Sequence, residues 1–271
     1  MNISEWQQQA VADLAKLDTN PQLEARLLVG HVLKMETDKL ILHTEDKLTD
    51  EQIELLSKFV DQRVRSHIPM AYILGTKGFM DFEVKVNESV LIPRPETEAI
   101  VEKAIEIINN KNINTVFELG TGSGVIAIAI AKNCPGVEVV ASDISKDALE
   151  LAHDNVKDFG LENQIELIHS DMGSHFDSAD LIVANLPYLP TNLEIAEELK
   201  SEPQIALWSG LDGLDHYREL LELNFDTAII ELGENQYQPF ADYIKGQNLN
   251  YKTTPVLGVD GQIVGMVITK E

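Results

Sequence analysis

The sequence predicts an α/β fold: a mostly parallel seven-stranded sheet with an antiparallel last strand, preceded by a small N-terminal helical bundle. Three observations carry this. From residue 114 strand and helix patterns alternate, as "NTVFELG", "SGVIAIAIAKN", "VEVVASD", "SKDALELAHDNVKDFG", "QIELIHSD" and "DLIVAN". Such alternation implies parallel strands covered by helices on both faces. Later, "FDTAIIELG" reads as a further buried strand, and "KTTPVLGVDGQIVGMVITK" sets Asp260-Gly261 between two apolar runs, a strong hairpin signal. Finally, residues 1 to about 68 carry apolar positions at helical spacing with short connections.

Taken in order, "SEWQQQAVADLAKL" is an amphipathic helix with Ser4 as its expected N-cap. "NPQLEARLLVGHVLKM" places Asn20 at the N-cap and Pro21 at the first helical position. "TDEQIELLSKFVDQRVRSH" opens on another capping signal. From Ala71, glycines and alternating Phe79, Phe82, Val84 and Val86 suggest a hairpin connector. "RPETEAIVEKAIEIINN" then reads as a helix with Pro95 in its first turn and acidic residues where the helix dipole favours them. The expected division is a helical bundle over 1–70, a β-hairpin linker over 71–92 and a catalytic domain over 93–271.

Composition narrows the function classes. The 271 residues carry a formal charge of −24, with 9 basic against 12 acidic side chains in residues 1–80 and 12 against 33 thereafter. A binder of bare nucleic acid needs a basic footprint to displace phosphate counterions, so direct nucleic-acid binding is not expected. The single cysteine, Cys134, precludes an intramolecular disulfide and suits a reducing cytoplasm. The N-terminal stretch lacks the basic-then-apolar pattern of a signal peptide, and the longest apolar run, Val125 to Ala131, is too short to span a bilayer. A soluble, cytoplasmic, monomeric protein without membrane contact is expected. The histidines and the cysteine show no ligand spacing, so no metal is expected, and no nucleophile-elbow motif supports Ser/His/Asp hydrolysis.

"VFELGTGSG" sets Gly120, Gly122 and Gly124 between a strand and a helix, where backbone can approach a ligand closely with helix N–H groups behind it. The spacing is G-x-G-x-G, whereas dinucleotide folds favour G-x-G-x-x-G. Glu118, just before the glycines, would repel a pyrophosphate but suits the cationic amino acid end of S-adenosylmethionine. Asp143 ends the next strand, 19 residues after Gly124, where a carboxylate can accept from both hydroxyls of a ribose. Together these signal a class I S-adenosylmethionine-dependent methyltransferase, a Rossmann-like fold. Glu118, Gly120, Thr121, Gly122, Ser123, Gly124, Asp143, Ile144 and Asn185 are the expected cofactor residues, with Asp171 or Met172 beside the adenine.

"DLIVANLPYLP" ends the fourth strand of the sheet, at the edge where open α/β sheets bind ligands. An amide or exocyclic amine is a poor nucleophile because its lone pair is delocalised. Two acceptors gripping its two hydrogens favour a pyramidal nitrogen and aim the lone pair. The Asn185 side-chain oxygen and the Leu186 carbonyl can be those acceptors. Pro187 restricts the backbone at Leu186, and Tyr188 offers a flat face for a planar group. Positioning carries such a mechanism.

The motifs "VLIPRPETE" (Val90 to Glu98), "ELGTGSG", the Asn-x-Pro-Tyr turn and "EPQIALWSGLDGLDHYRELL" (Glu202 to Leu221) occur in the order seen in the HemK/PrmC family. The chain resembles these protein-glutamine N5-methyltransferases, which modify peptide chain release factors, over essentially its whole length. The resemblance implies that the substrate is the glutamine of a Gly-Gly-Gln loop in a release factor. It implies that Asn185 and the Leu186 carbonyl hold the glutamine amide and that Pro187 and Tyr188 line its slot. It also implies that Arg94, Pro95 and Glu96 pack near the reaction pocket, unless they serve helix capping alone, and that the helical domain grips the release factor. Two departures stand out: Leu186 where the family usually has Pro, and Met172 where a larger residue is common. The Asn-Leu-Pro-Tyr form also resembles ribosomal RNA adenine dimethyltransferases, so RNA or DNA adenine N6-methylation is one rival. It is opposed by the acidic catalytic region and by the roughly 115 residues preceding the glycine loop. A catalytically dead cofactor-binding or docking module is the other rival, opposed by the intact Asn185 and Tyr188.

Overall fold

A computed structural model describes every residue except Asp18 and His175. The chain divides into two compact units, Met1–Thr76 with Ile195–Ser201, and Lys77–Glu194 with Glu202–Glu271.

The first unit packs α1 (Ile3–Leu14), α2 (Pro21–Leu33), α3 (Asp50–Arg65) and the short α4 (Met70–Leu74) around Trp6, Leu14, Leu28 and Leu56. The N-cap of α1 is Asn2, not Ser4: the Asn2 side chain accepts from Glu5 N–H while Glu5 reaches back to the Asn2 N–H, a complete capping box that starts the helix earlier. Asn20 and Thr49 cap α2 and α3 through their side chains. Residues 71–74, expected in the hairpin, are helical: Pro69 precedes the turn and Gly75, at φ 75°, ends it. Inside the unit Glu24 and Arg63 form a buried pair, with Arg63 Nη2 2.9 Å from Glu24 Oε1, and Arg63 Nη1 reaches Ile68 O at 3.2 Å and Glu198 Oε2 at 3.0 Å. Removing one partner of a buried pair leaves an uncompensated charge. Arg63→Ala is therefore expected to destabilise this unit by about 3–5 kcal/mol, read as a lower urea midpoint of its helical signal.

From Thr76, the last residue of the Met1–Thr76 segment, β1 (Thr76–Phe79) and β2 (Phe82–Lys85) form a two-stranded hairpin, with the rest of the hairpin and the strands and α-helices that follow it in the second unit. Helix α5 (Pro95–Lys111) precedes the seven-stranded sheet built from β3 (Thr115–Leu119), β4 (Glu138–Asp143), β5 (Ile165–His169), β6 (Ala179–Ala184), β7 (Phe225–Glu231), β8 (Tyr251–Leu257) and β9 (Ile263–Lys270). Helices α6 (Val125–Asn133), α7 (Lys146–Asp158), α8 (Asp215–Leu220) and α9 (Tyr237–Gly246) complete it. The strand order is β5-β4-β3-β6-β7-β9-β8. Strands β3 to β7 pair in parallel, and β9 runs antiparallel to both β7 and β8, as the sequence predicts. Parallel strands covered on both faces need near-continuous apolar runs, and Leu181–Ala184 and Ala228–Ile230 are fully buried accordingly. Pro255 sits in β8, an edge strand, where a missing N–H is tolerated. Leu119 and Ile230 both lie opposite Ala184. That register brings the glycine loop after β3, the Asn185 turn after β6 and the end of β7 to one edge of the sheet.

Candidate active site

Gly120, Gly122 and Gly124 all have positive φ, at 72°, 54° and 80°. Gly120 shows why the first must lack a side chain. Besides its left-handed backbone, a Cβ there would lie 3.1 Å from Leu186 Cδ2. Leu186 is thus more than a looser substitute for proline: its buried side chain belongs to the core and packs against the glycine loop.

The loop borders a cavity of about 360 Å³. Its walls include Thr121, Gly122 and Ser123 from the loop, Asp143 and Ile144 after β4, Asp171 and Met172 after β5, and Asn185, Leu186 and Pro187 after β6. These sequence-predicted residues therefore share one pocket, with Gly120. Asp143 is committed to shaping the loop: Oδ2 accepts from Gly122 N–H and Oδ1 from Ser145 N–H, both at 2.8 Å. A carboxylate has about four acceptor positions, so capacity for two further donors remains.

Glu118 differs from expectation. It is fully buried and does not line the cavity; Thr121 lies between, its hydroxyl donating to Glu118 Oε2 at 2.9 Å. Burial pushes the Glu118 carboxyl up to about 8, with Thr121 acting in the opposite sense and the Asp143 charge adding to the rise. The Ala127 N–H acts on this carboxyl in the same sense as Thr121, and among the described residues no group lies within ordinary hydrogen-bond geometry of Oε1. A buried acceptor without a partner is costly, and one beneath the loop suits a ligand with a cationic end. Gly124 likewise lies off the wall, capping α6 from the left-handed region.

Among the described residues, Asn185 carries a second buried acceptor without a partner, Oδ1. Its Nδ2 donates to Thr97 Oγ1 at 3.1 Å, and Thr97 Oγ1 lies 2.6 Å from Glu231 Oε2. Tyr188 Oη donates to Glu231 Oε1 at 3.2 Å. Glu231 ends β7 and is buried, which pushes its carboxyl up to about 7; Thr97, Tyr188 and Asn185 oppose the shift and Glu96 adds to it. Burial, and then the Glu231 charge, raise the Tyr188 hydroxyl. The buried Tyr217 of α8 lies with Oη 3.2 Å from Leu186 O and against Glu231 O. A carbonyl has two lone pairs, so the Leu186 oxygen keeps one for another donor.

Tyr188 does not share the first cavity. It lines a second one with Pro95, Glu96, Glu231 and Gln236, so the Asn-Leu-Pro-Tyr turn borders one cavity with its first three residues and the other with its last. Arg94 lines neither; it pairs with the buried Glu202, whose other oxygen accepts from Ile92 N–H at 3.0 Å. The Pro-Arg-Pro-Glu segment is thereby tied to the Glu202 segment. Gly213 of "GLDGL" has an equally specific reason: at φ 79°, a Cβ there would lie 2.0 Å from Tyr188 O and 2.5 Å from Gln236 Nε2, which itself donates to Tyr188 O at 2.8 Å. Gly213→Ala is expected to push the Tyr188 backbone out of place, costing about 2–3 kcal/mol from strain and overpacking and most of the activity. A thermal shift and a turnover assay on one preparation check both.

Comparisons with known proteins agree with this geometry. Residues 5–75 match the PrmC N-terminal domain and residues 102–207 the methyltransferase small domain. The release factor glutamine methyltransferase of Dictyoglomus turgidum is 37% identical over 84% of this chain and 85% of its own. The chain belongs to the release factor glutamine methyltransferase family. The Buchnera aphidicola member is also 37% identical, over 79% of this chain and 78% of its own. A bifunctional methyltransferase of Rickettsia typhi is 34% identical over 88% of this chain, which spans about half (52%) of that longer protein. Among solved structures, the hMettl16 catalytic domain in complex with MAT2A 3'UTR hairpin 6 superposes with a TM-score of 0.54 at 12% identity, covering 82% of each chain. The N-terminal domain of human METTL16 in complex with SAH gives 0.50 at 13%, over 89% of this chain and 92% of that one. At such identity the likeness is one of fold. Family membership makes the chain an enzyme, a methyltransferase whose methyl donor is S-adenosylmethionine. Among the described residues, no helix is long and apolar enough to cross a membrane.

Two residues in this network, Thr97 and Glu231, are absent from the sequence-predicted site. A signal existed for Glu231: "IIELG" at the end of β7 repeats the Glu-Leu-Gly of "VFELG" at the end of β3, at the same edge of a parallel sheet.

Proposed function

We propose that this chain methylates the side-chain amide nitrogen (N5) of the glutamine in the Gly-Gly-Gln loop of peptide chain release factors. The supporting observation is Asn185 Oδ1, a buried acceptor without a partner beside the cavity of the glycine loop. S-adenosylmethionine supplies an electrophilic methyl group when bound. Gly120, Thr121, Gly122, Ser123, Asp143 and Ile144 would hold it, with Asp171 and Met172 toward the adenine. Glu118 would act on its cationic end from beneath Thr121.

Asn185 Oδ1 and the free lone pair of the Leu186 carbonyl would accept the two amide hydrogens of the glutamine. That grip holds the nitrogen lone pair toward the methyl group, and orientation supplies much of the rate. Pro187 keeps the Leu186 carbonyl in register, and Tyr188 would flank the amide from the second cavity. Pro95 and Glu96, which border that cavity, would line the approach; Arg94 would act through its pairing with Glu202. Residues 1–70 would grip the release factor, 71–92 would link, and 93–271 would catalyse, in the cytoplasm and as a monomer.

The acidic surface favours a protein acceptor over nucleic acid. Purified, unmodified release factor and ribosomal RNA, offered together with labelled S-adenosylmethionine, test the acceptor class. Label on the release factor is expected. Label confined to RNA would support adenine methylation, and no label with intact cofactor binding would support a dead module.

A further inference from the structure

We infer that Thr97 and Glu231 are positioning residues: together they form a hydrogen-bonded relay that fixes which way the Asn185 amide faces. The inference rests on the proposed clamp, in which Asn185 must present oxygen, not nitrogen, to the acceptor amide.

An asparagine amide has a donor end and an acceptor end of nearly equal shape. Nothing steric separates the two orientations, so only hydrogen-bond partners can select one. Asn185 Nδ2 donates to Thr97 Oγ1, and the same amide acts on the Glu231 carboxyl as a hydrogen-bond donor, so both partners select the orientation that turns the NH₂ toward them. A threonine hydroxyl carries one hydrogen and can therefore accept from Asn185 only if that hydrogen is directed elsewhere. Glu231 Oε2, 2.6 Å away, is where it goes. An ionised carboxylate only accepts, so it draws the hydroxyl hydrogen and leaves the Thr97 lone pairs for Asn185 Nδ2. Tyr188 Oη donates to the other oxygen of the same carboxylate. Two donors, one on each oxygen, define Glu231 as the terminal acceptor of the relay. Asn185 Oδ1 is left without a partner, facing no competing donor.

Protonation would undo this polarity. A neutral Glu231 can donate to Thr97, whose own hydrogen is then free to turn toward Asn185. The amide would then gain by rotating, presenting its NH₂ to a substrate that also offers NH₂, and two donors repel. The titratable groups facing Glu231 are Tyr188 from the turn after β6, Glu96 from α5 and Tyr217 from α8; β9 sets Gly265 opposite it. Both tyrosines are shifted upward by burial and stay neutral in the working range. Glu96 disfavours the second negative charge. Glu231 is therefore the group in this cluster that changes charge near neutrality.

The test combines turnover with a measurement on the enzyme alone. In the full-length protein, Thr97→Val removes the hydroxyl at nearly constant volume. It is expected to lower kcat about 30- to 100-fold with KM for release factor and cofactor affinity within threefold, and Thr97→Ser to restore most of the rate. Wild-type kcat is expected to fall as pH drops below about 7, and Glu231→Gln, which cannot titrate, to lose that limb. On the same samples, the Asn185 side-chain NH₂ signals in a ¹H–¹⁵N NMR spectrum are expected to shift with a midpoint near pH 7, and to shift by less than half as much in Thr97→Val. A wild-type kcat in Thr97→Val, or an unchanged acid limb in Glu231→Gln, would overturn the relay. If the wild type leaves release factor unmodified, the functional reading fails separately, and the NMR titration still decides. Signals that do not move between pH 5 and 9, or that move at least half as far in Thr97→Val, would refute it.

Discussion

Asn185→Ala is expected to lower kcat by at least 10³-fold while leaving S-adenosylmethionine affinity within about threefold. The reasoning follows from where its atoms sit. Asn185 lines the cavity of the glycine loop, yet its Oδ1 has no partner among the described residues and its Nδ2 is turned away to Thr97. An acceptor kept free in a buried setting contributes little to the resting enzyme. Its contribution appears when an acceptor amide must be held and its nitrogen reshaped, which is stabilisation of the transition state. Loss of one preorganised group of this kind costs on the order of 10²–10³ in rate. Here the clamp has only one other acceptor, the Leu186 carbonyl, which already shares the Tyr217 hydroxyl, so the upper end or beyond is expected. Single-turnover transfer and equilibrium cofactor titration on one preparation check the split. A variant that turns over normally would remove Asn185 from the chemistry.

The second large effect is expected at Asp143. Asp143→Ala should weaken S-adenosylmethionine by about 1.5–3 kcal/mol, from the loss of hydrogen bonds to a charged acceptor, or roughly ten- to a hundredfold and more in Kd. The structure adds a reason beyond the expected ribose contact. Asp143 holds Gly122 N–H and Ser145 N–H at 2.8 Å each, so it also fixes the glycine loop and the entry to α7. Asp143→Asn keeps an acceptor but loses the charge and is expected to fall between wild type and alanine. Isothermal titration of the three proteins gives the order. Wild-type affinity in Asp143→Ala would mean that the loop holds its shape, and the cofactor, without it.

How much of this was legible follows from how each residue does its work. The alternation that predicts the parallel sheet is a property of neighbouring residues, and the strand order and the antiparallel β9 agree with it. The glycine loop and the Asn-Leu-Pro-Tyr turn are also local: their meaning lies in consecutive residues at a strand end, and the structure brings the loop and the turn's first three residues to one pocket, with Tyr188 in the second. Thr97 and Glu231 were hidden because neither has a local signature. Thr97 reads as one residue in the acidic first turn of α5, and Glu231 as the last residue of an apolar strand. Their significance comes from a contact 134 positions apart in the chain. Glu118 was located correctly at the end of β3 but not its burial, because the sequence does not tell that Thr121 folds over it. Arg94 was drawn to the pocket by its neighbours, whereas Glu202, 108 positions away, holds it.

The same contacts explain why distant motifs accompany one another. "PRPETE" supplies Arg94 for Glu202 and Thr97 for Asn185; "GLDGL" supplies Gly213, without whose bare backbone the Tyr188 carbonyl could not reach its place. Each segment supports the turn after β6 from a different side. The glycine loop supports it from a third, through Gly120 against Leu186.

The central claim is that the turn after β6 grips a glutamine side-chain amide. It is tested most directly by mapping the transferred methyl at residue level. Unmodified release factor is incubated with this enzyme and isotopically labelled S-adenosylmethionine, digested, and sequenced by mass spectrometry beside the same factor with its Gly-Gly-Gln glutamine changed. The account predicts a single methyl on the side-chain nitrogen of that glutamine and none on the changed factor. Methylation at another residue, or equal labelling of the two factors, would contradict it.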